Sequence, residues 1–319
     1  MSSRVGAAAI KEAAGILRRG GLVAFPTETV YGLGADASNP AAVARIYAVK
    51  GRPPNHPVIV HIGEVGQLAC WAREIPEPAA KLAARFWPGP LTLLLRRASG
   101  VGDDLTGGQE TIGLRVPGHP VALELLREFR GGIAAPSANR FGRISPTTAE
   151  HVRSDLGSDV DLVLDGGACE IGIESTIVDV SRGKPVVLRP GRISEDDIAR
   201  VLGFPPVPRD PGAPRAPGSL QSHYAPRQPL RLVASREWDL RVRGKSTGRG
   251  VMAFRARPPG DASAIWIEAP ADPGRYGHDL YANLRMLDSS ACDEILVEEP
   301  PGSEEWTAIR DRLSRARSE

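Results

Sequence analysis

The run PPVPRDPGAPRAPG, residues 205–218, constrains this chain more than any other stretch. It holds six prolines and follows neither a helical nor a strand period. Proline lacks an amide donor and fixes φ, so the run cannot fill a helix interior or a central strand. It predicts an extended, semi-rigid connector between two parts of domain size. The boundaries read from it are a first domain over 6–204, a linker over 205–226 and a smaller domain over 227–319.

On the N-terminal side, Ile10, Ala13, Ala14 and Leu17 share one helical face, which Gly20-Gly21 ends. LVAF reads as a buried strand stopped by Pro26. Asn39-Pro40 is a helix start with proline at the first helical position. VIVHI, LTLLLRR, TIGLRV, GIAAP, DLVLD, STIVDV and PVVLR read as strands, and Pro78–Phe86 and Val121–Phe129 as helices. Ser194 with Asp197 caps a further short helix. Elements of both kinds mix without strict alternation, which predicts an α/β or α+β sheet with some antiparallel pairs. On the C-terminal side LRLV, VMAF, AIWI and EILVEE alternate with two helical stretches, as in a small βα layer domain.

Forty basic and 38 acidic side chains leave a formal charge of +2. That balance excludes a chain coated in nucleic acid, so any basic function must be local. Cys70, Cys169 and Cys292 lie far apart with no CxxC, which predicts reduced thiols, no zinc site and no metal-ligating side-chain set. No apolar run reaches signal-peptide or membrane-spanning length, and the expectation is a cytoplasmic protein with no membrane partner.

Two motifs mislead. GKST at 244–247 lacks a P-loop, because the position that needs the first glycine is Asp239. GLGADA offers Gly32 and Gly34 but no third glycine, so the dinucleotide fingerprint fails.

Polar residues gather instead where strands end. LVAF breaks into Pro26, Thr27, Glu28 and Thr29, and strand ends are where sheets open into clefts. Lys50, Arg52 and His56 sit on a loop stiffened by Pro53, Pro54 and Pro57, which holds cations ready for phosphate at low entropic cost. His61 points to the same strand face as Ile59; taken alone, a satisfied core histidine is the favoured reading. Arg115 stands on an otherwise apolar strand and needs an anion there, either a structural Asp or Glu or a ligand carboxylate. Ser137, Asn139, Arg143 and Ser145 form an anion-friendly loop. Ser175, Arg189 and Arg192 complete a set of cations and hydroxyls with no strong nucleophile. Such a set suits placement of a nucleotide beside a small carboxylate, as nucleotidyl transfer requires.

The segments FPTETVYGLGADA, KGRPPNHPVIVHI, FWPGPLTLLL, GLRVPGHP, APSANRFGRISPT, GIESTIVDV and LRPGRIS follow, in order, the pattern of the YrdC/Sua5 family. PGSLQSHYAP resembles the linker signature of its longer, Sua5-type members. The resemblance covers about residues 6–226 and extends loosely into the tail. It implies a YrdC-like domain with a twisted mixed sheet around a central cavity, plus a smaller Rossmann-like C-terminal Sua5 domain. It also implies an L-threonylcarbamoyladenylate synthase, a nucleotidyltransferase joining L-threonine, bicarbonate and ATP with release of pyrophosphate. The product would serve t6A formation at position 37 of tRNA through a Kae1/TsaD-type threonylcarbamoyltransferase.

Carried onto this chain, the resemblance gives L-threonine to Thr29, His61, Arg115, Ser137 and Ser175. It gives ATP to Lys50, Arg52, His56, Asn139, Ser145, Arg189 and Tyr224, with Lys50 and Arg52 catalytic. Mg2+ would accompany ATP, and no organic cofactor is implied. Tyr224 would make the linker a lid. His56 stands where the family commonly has asparagine; a neutral imidazole still makes one hydrogen bond, with its own pH dependence. Two other functions fit the same likeness: a translation factor gripping double-stranded RNA or tRNA, weakly if at all given the charge, and carbamoyl-adenylate chemistry as in hydrogenase maturation. The acylphosphatase and zinc-finger-like segments of that last group are lacking here.

Overall fold

The computed structural model describes residues 5–218, 223–242 and 248–318. The chain divides into two compact units, Met1–Phe141 with Pro146–Ser219, and Gly142–Ser145 with Leu220–Glu319.

The first unit is built on a nine-stranded mixed sheet. Its strands are β1 (Val23–Phe25), β2 (Gly32–Asp36), β3 (Ile59–His61), β4 (Leu91–Arg96), β5 (Thr111–Arg115), β6 (Ile133–Ala134), β7 (Leu162–Val163), β8 (Thr176–Asp179) and β9 (Val186–Arg189). Their order across the sheet is β7-β1-β2-β6-β3-β5-β4-β8-β9. Parallel pairs join β3 to β5 and β4 to β8, while β4 and β5 run antiparallel.

Side-chain alternation gives the sheet two distinct faces. One carries Leu33, Ala35, Val60, Leu93, Leu114 and Val178, buried in one cluster with Ile46, Leu82, Val152 and Ile198 from four helices. The helix Pro40–Lys50 forms as Asn39-Pro40 predicts: the Asn39 side chain accepts from Ala41 and Ala42 amides at 3.1 and 3.2 Å. Gly51 ends it at φ 64°, a left-handed turn that suits glycine, and so launches the loop bearing Arg52. Ser194 and Asp197 form the expected capping box of Glu195–Leu202.

The opposite face is covered in two patches. The helices Ala7–Arg18 and Pro120–Phe129 pack on Val23, Phe25, Ile133 and Ala135. Farther along, Ile59, Leu94 and Ile177 are covered by Val207, Ala213 and Ala216 of the proline-rich run. That run is irregular, as its prolines predict, yet it is tied down. Val207 N–H donates to Pro185 O at 2.9 Å, and Arg215 N–H to Gln109 Oε1 at 2.6 Å. The strand β2 was not expected, since GLGAD reads as a glycine-rich bend.

The second unit holds a four-stranded parallel sheet of β10 (Leu230–Val233), β11 (Arg249–Ala253), β12 (Ile265–Glu268) and β13 (Glu294–Glu298), ordered β10-β13-β11-β12. Val233, Trp238, Val242, Val251, Ala253 and Leu296 form a core on one of its faces. GKST, at 244–247, lies outside the described residues.

Candidate active site

A single transverse row organises the chemistry of the first unit. His61 on β3 is the register partner of Arg115 on β5. Leu93 pairs with Leu114, and continuing that register by one residue sets Thr92 opposite Arg115. Thr92 pairs with Ile177, which pairs with Arg189. Five adjacent strands thus present His61, Arg115, Thr92, Ile177 and Arg189 on one face, the face with the two covered patches. At about 4.8 Å per strand the row spans roughly 19 Å. Its four polar members are all buried.

Arg115 is held by three acceptors. Its Nε donates to Gly89 O at 3.2 Å, Nη1 to Thr29 Oγ1 at 3.0 Å and Nη2 to Glu28 Oε1 at 2.6 Å. The structural acid that an arginine on an apolar strand demands is therefore Glu28. A guanidinium has five N–H donors, so two remain for a ligand. Thr27 Oγ1 lies 2.8 Å from Thr29 Oγ1 and donates to Val30 O at 2.6 Å, which fixes the loop after β1. Burial, with Arg115 beside it, pushes His61 down to about 3, so this imidazole is neutral at physiological pH.

Farther along the row, Ser175 Oγ lies 2.8 Å from Thr92 Oγ1 and accepts from Arg189 Nη2 at 3.1 Å. Arg189 also donates to Ser175 O at 3.1 Å and to Pro217 O at 3.0 Å. Thr92 was not singled out from the sequence. A lone threonine in LTLLLRR carries the same signal as the lone arginine in TIGLRV.

The cation loop meets the sheet at the other end of β3, although Lys50 itself is the last residue of the helix Pro40–Lys50 and not part of the loop. Lys50 Nζ donates to Ser137 O and Asn139 O, both at 2.6 Å, and lies 3.3 Å from Asn139 Oδ1. Ser137 Oγ donates to Asn139 Oδ1 at 2.6 Å. Burial and the neighbouring Arg52 push Lys50 well below a lysine's ordinary value, while the oxygens around it favour the ammonium. Arg52 donates to Pro57 O at 2.6 Å, and its guanidinium carbon stands 5.9 Å from the Phe141 ring centre. His56 meets that ring edge-on at 5.4 Å. Burial first, then Arg52 and Arg215, lower its pKa.

Ser145 and Tyr224 belong to the second unit. There Arg285 Nε donates to Ser145 O at 3.4 Å, and the buried Tyr224 ring lies 5.7 Å from Tyr281 with Arg312 over it at 5.4 Å. The second unit also has a cleft of about 1030 Å³. Its charges are largely matched: Arg231 and Arg249 flank Glu294 at 3.6 and 2.9 Å, and Arg315 meets Asp311 at 2.9 Å. None of the residues expected in the site lines it. Among the described residues no cluster of three or more His, Cys, Asp or Glu could hold a metal ion. Nor is any described helix long and apolar enough to cross a membrane.

The Sua5/YciO/YrdC family model, described as telomere recombination, matches residues 15–191. A second model, described as threonylcarbamoyl-AMP synthase, C-terminal domain, matches residues 193–318. The chain belongs to the Sua5/YciO/YrdC family. Threonylcarbamoyl-AMP synthase of Pyrococcus abyssi is 39% identical over 96% of this chain and 93% of its own length. That of Bacillus subtilis is 41% identical over 96% and 92%. A crystal structure of Pyrococcus abyssi Sua5 complexed with L-threonine superposes with a TM-score of 0.89 at 37% identity, covering 98% of this chain and 95% of the other. Both units thus have counterparts in two-domain Sua5 proteins, as PGSLQSHYAP suggested.

Proposed function

We propose that this chain is an L-threonylcarbamoyladenylate synthase, a nucleotidyltransferase that makes threonylcarbamoyl-AMP and pyrophosphate from L-threonine, bicarbonate and ATP. The observation that carries the reading is the buried row of His61, Arg115, Thr92 and Arg189 on one sheet face, in a chain similar over nearly its whole length to enzymes of that name.

In this reading threonine lies toward Thr29, His61, Arg115 and Ser175, where two guanidinium N–H groups await its carboxylate. Neutral His61 offers one hydrogen bond without repelling an ammonium group. The ammonium releases one proton to solvent, and the amine adds to bicarbonate: R–NH2 and HCO3– give R–NH–CO2– and water. A carbamate oxygen then attacks the α-phosphorus of ATP, and the bond to the bridging oxygen of pyrophosphate breaks. Arg52 and Lys50 counter the charge that departs with pyrophosphate. Lys50 has a second task, since its ammonium ties down the loop of Ser137 and Asn139. Arg189, which donates to Ser175 Oγ, connects the threonine contacts to the ATP contacts. Mg2+ enters as part of the MgATP substrate and is held by its phosphates. The assignments of Ser145 and Tyr224 to ATP, and of 205–226 as a lid, rest on the resemblance. So do a cytoplasmic setting, delivery to a Kae1/TsaD-type transferase and any weak contact with tRNA.

The test is pyrophosphate release measured with each substrate omitted in turn. Release should require ATP, threonine and bicarbonate together. Full release without threonine would refute the scheme.

A further inference from the structure

Glu28 carries a chemical feature that pairing with Arg115 leaves unused. Its side chain is 9% exposed, on the loop between β1 and β2. Oε1 accepts from Arg115 Nη2 at 2.6 Å. Oε2 is buried and has no hydrogen-bond partner among the described residues. Leaving a buried carboxylate oxygen unmet is costly, and native proteins seldom do so without a reason. The Glu28 backbone is itself pinned, because its carbonyl accepts from the Ile171 amide at 2.8 Å.

Arg115 and Glu28 together form a neutral pair with open valences of both signs. Two guanidinium N–H groups remain on one side, and the lone pairs of Oε2 on the other. That is the complement of a zwitterion, whose carboxylate and ammonium stand on one carbon. A neutral pair meeting a neutral zwitterion brings no net charge into the interior, so neither partner is left as an isolated buried ion.

We propose that Glu28 is the receptor for the substrate's amino group and the residue that restricts the site to amino acids. This deepens the threonine reading above and rests on it. Oε2 accepts an ammonium N–H from threonine on binding. After carboxylation the nitrogen keeps one N–H, and the same oxygen accepts it, so the carbamate stays oriented toward ATP. The competing role is purely structural: Glu28 would only aim Arg115, a task that the amide oxygen of glutamine also performs.

Isothermal titration of wild type, Glu28→Gln and Glu28→Asp separates the two roles. The ligands are L-threonine and (2S,3R)-2,3-dihydroxybutanoate, which replaces the amine by a hydroxyl. Wild type should bind threonine about tenfold or more tighter than the hydroxy acid, the scale of a lost charge-assisted hydrogen bond. Glu28→Gln should lose about tenfold for threonine while changing the hydroxy acid by no more than about twofold, with Glu28→Asp in between. Equal weakening of both ligands, or of neither, would overturn the proposal. Wild type that binds neither ligand would overturn the enzyme reading itself and this proposal with it. Should the variants fail to fold, wild type crystallised with threonine still decides: a nitrogen about 3 Å from Oε2 supports the assignment, and one beyond about 4 Å overturns it.

Discussion

His61 shows how burial sets chemistry at the scale of one residue. Its ordinary value of 6.5 falls to about 3, chiefly because the ring is fully buried. Between those values the unfolded chain takes up a proton that the folded chain refuses. The stabilising contribution is therefore complete above about pH 6.5 and is lost as the pH falls toward 3. The slope is roughly 1.4 kcal/mol per pH unit for one proton. Unfolding free energies measured from pH 6 to pH 4 should fall more steeply for wild type than for His61→Gln, by about one proton's worth. Coincident slopes would mean that the ring takes its proton in the folded state. Arg115 is the converse case. Its need for an anion was legible from TIGLRV, but which anion was not. Glu28 and Arg115 are far apart in sequence and meet only because Arg115 lies at a strand's end, within reach of the loop after β1.

At the scale of elements, strand ends and glycines set where the polar side chains stand. Gly191 packs against the segment that enters β8. A Cβ there would run into the Thr176 amide nitrogen and lie 2.8 Å from both Glu174 O and the Ser175 carbonyl carbon. These are backbone atoms and cannot swing aside. Gly191→Ala should therefore shift Ser175 and lower kcat/KM for threonine by roughly tenfold or more, the scale on which small misplacements act. Its far-ultraviolet circular dichroism should stay native; unchanged kinetics would show that Ser175 is not held by this contact. The same logic explains the missed strand. At Gly34 a Cβ would meet Ile133 Cγ2 and Phe25 Cε1, both at 2.8 Å. The spacing of Gly32 and Gly34 is thus clearance on one face of β2, where composition alone suggests a bend. Most other strands and the long helices were legible, because period, caps and prolines agree there. The helix Ala149–Leu156 was not, although Thr148 caps it by accepting from the His151 amide at 3.2 Å.

At the scale of the whole molecule, the proposed site divides along β3. In the proposed reading one end, with His61 beside Arg115, receives threonine, and the other, near Lys50 and the loop of Arg52, receives the triphosphate. Motif order gave His61, Arg115 and Arg189 but not Thr92, and the transverse row exists only through strand pairing, which a linear sequence does not display. Near-neutral overall charge fits this arrangement, since it calls on few of the chain's 40 basic side chains: Arg115 and Arg189 in the row, and Lys50 and Arg52 at the other end of β3. The most direct measurement is a crystal structure of the wild-type chain with L-threonine and a non-hydrolysable ATP analogue bound together. The threonine carboxylate should lie on Arg115 and the phosphates beside Arg52 and Lys50. Threonine bound away from Arg115, or phosphates bound away from that loop, would contradict this division.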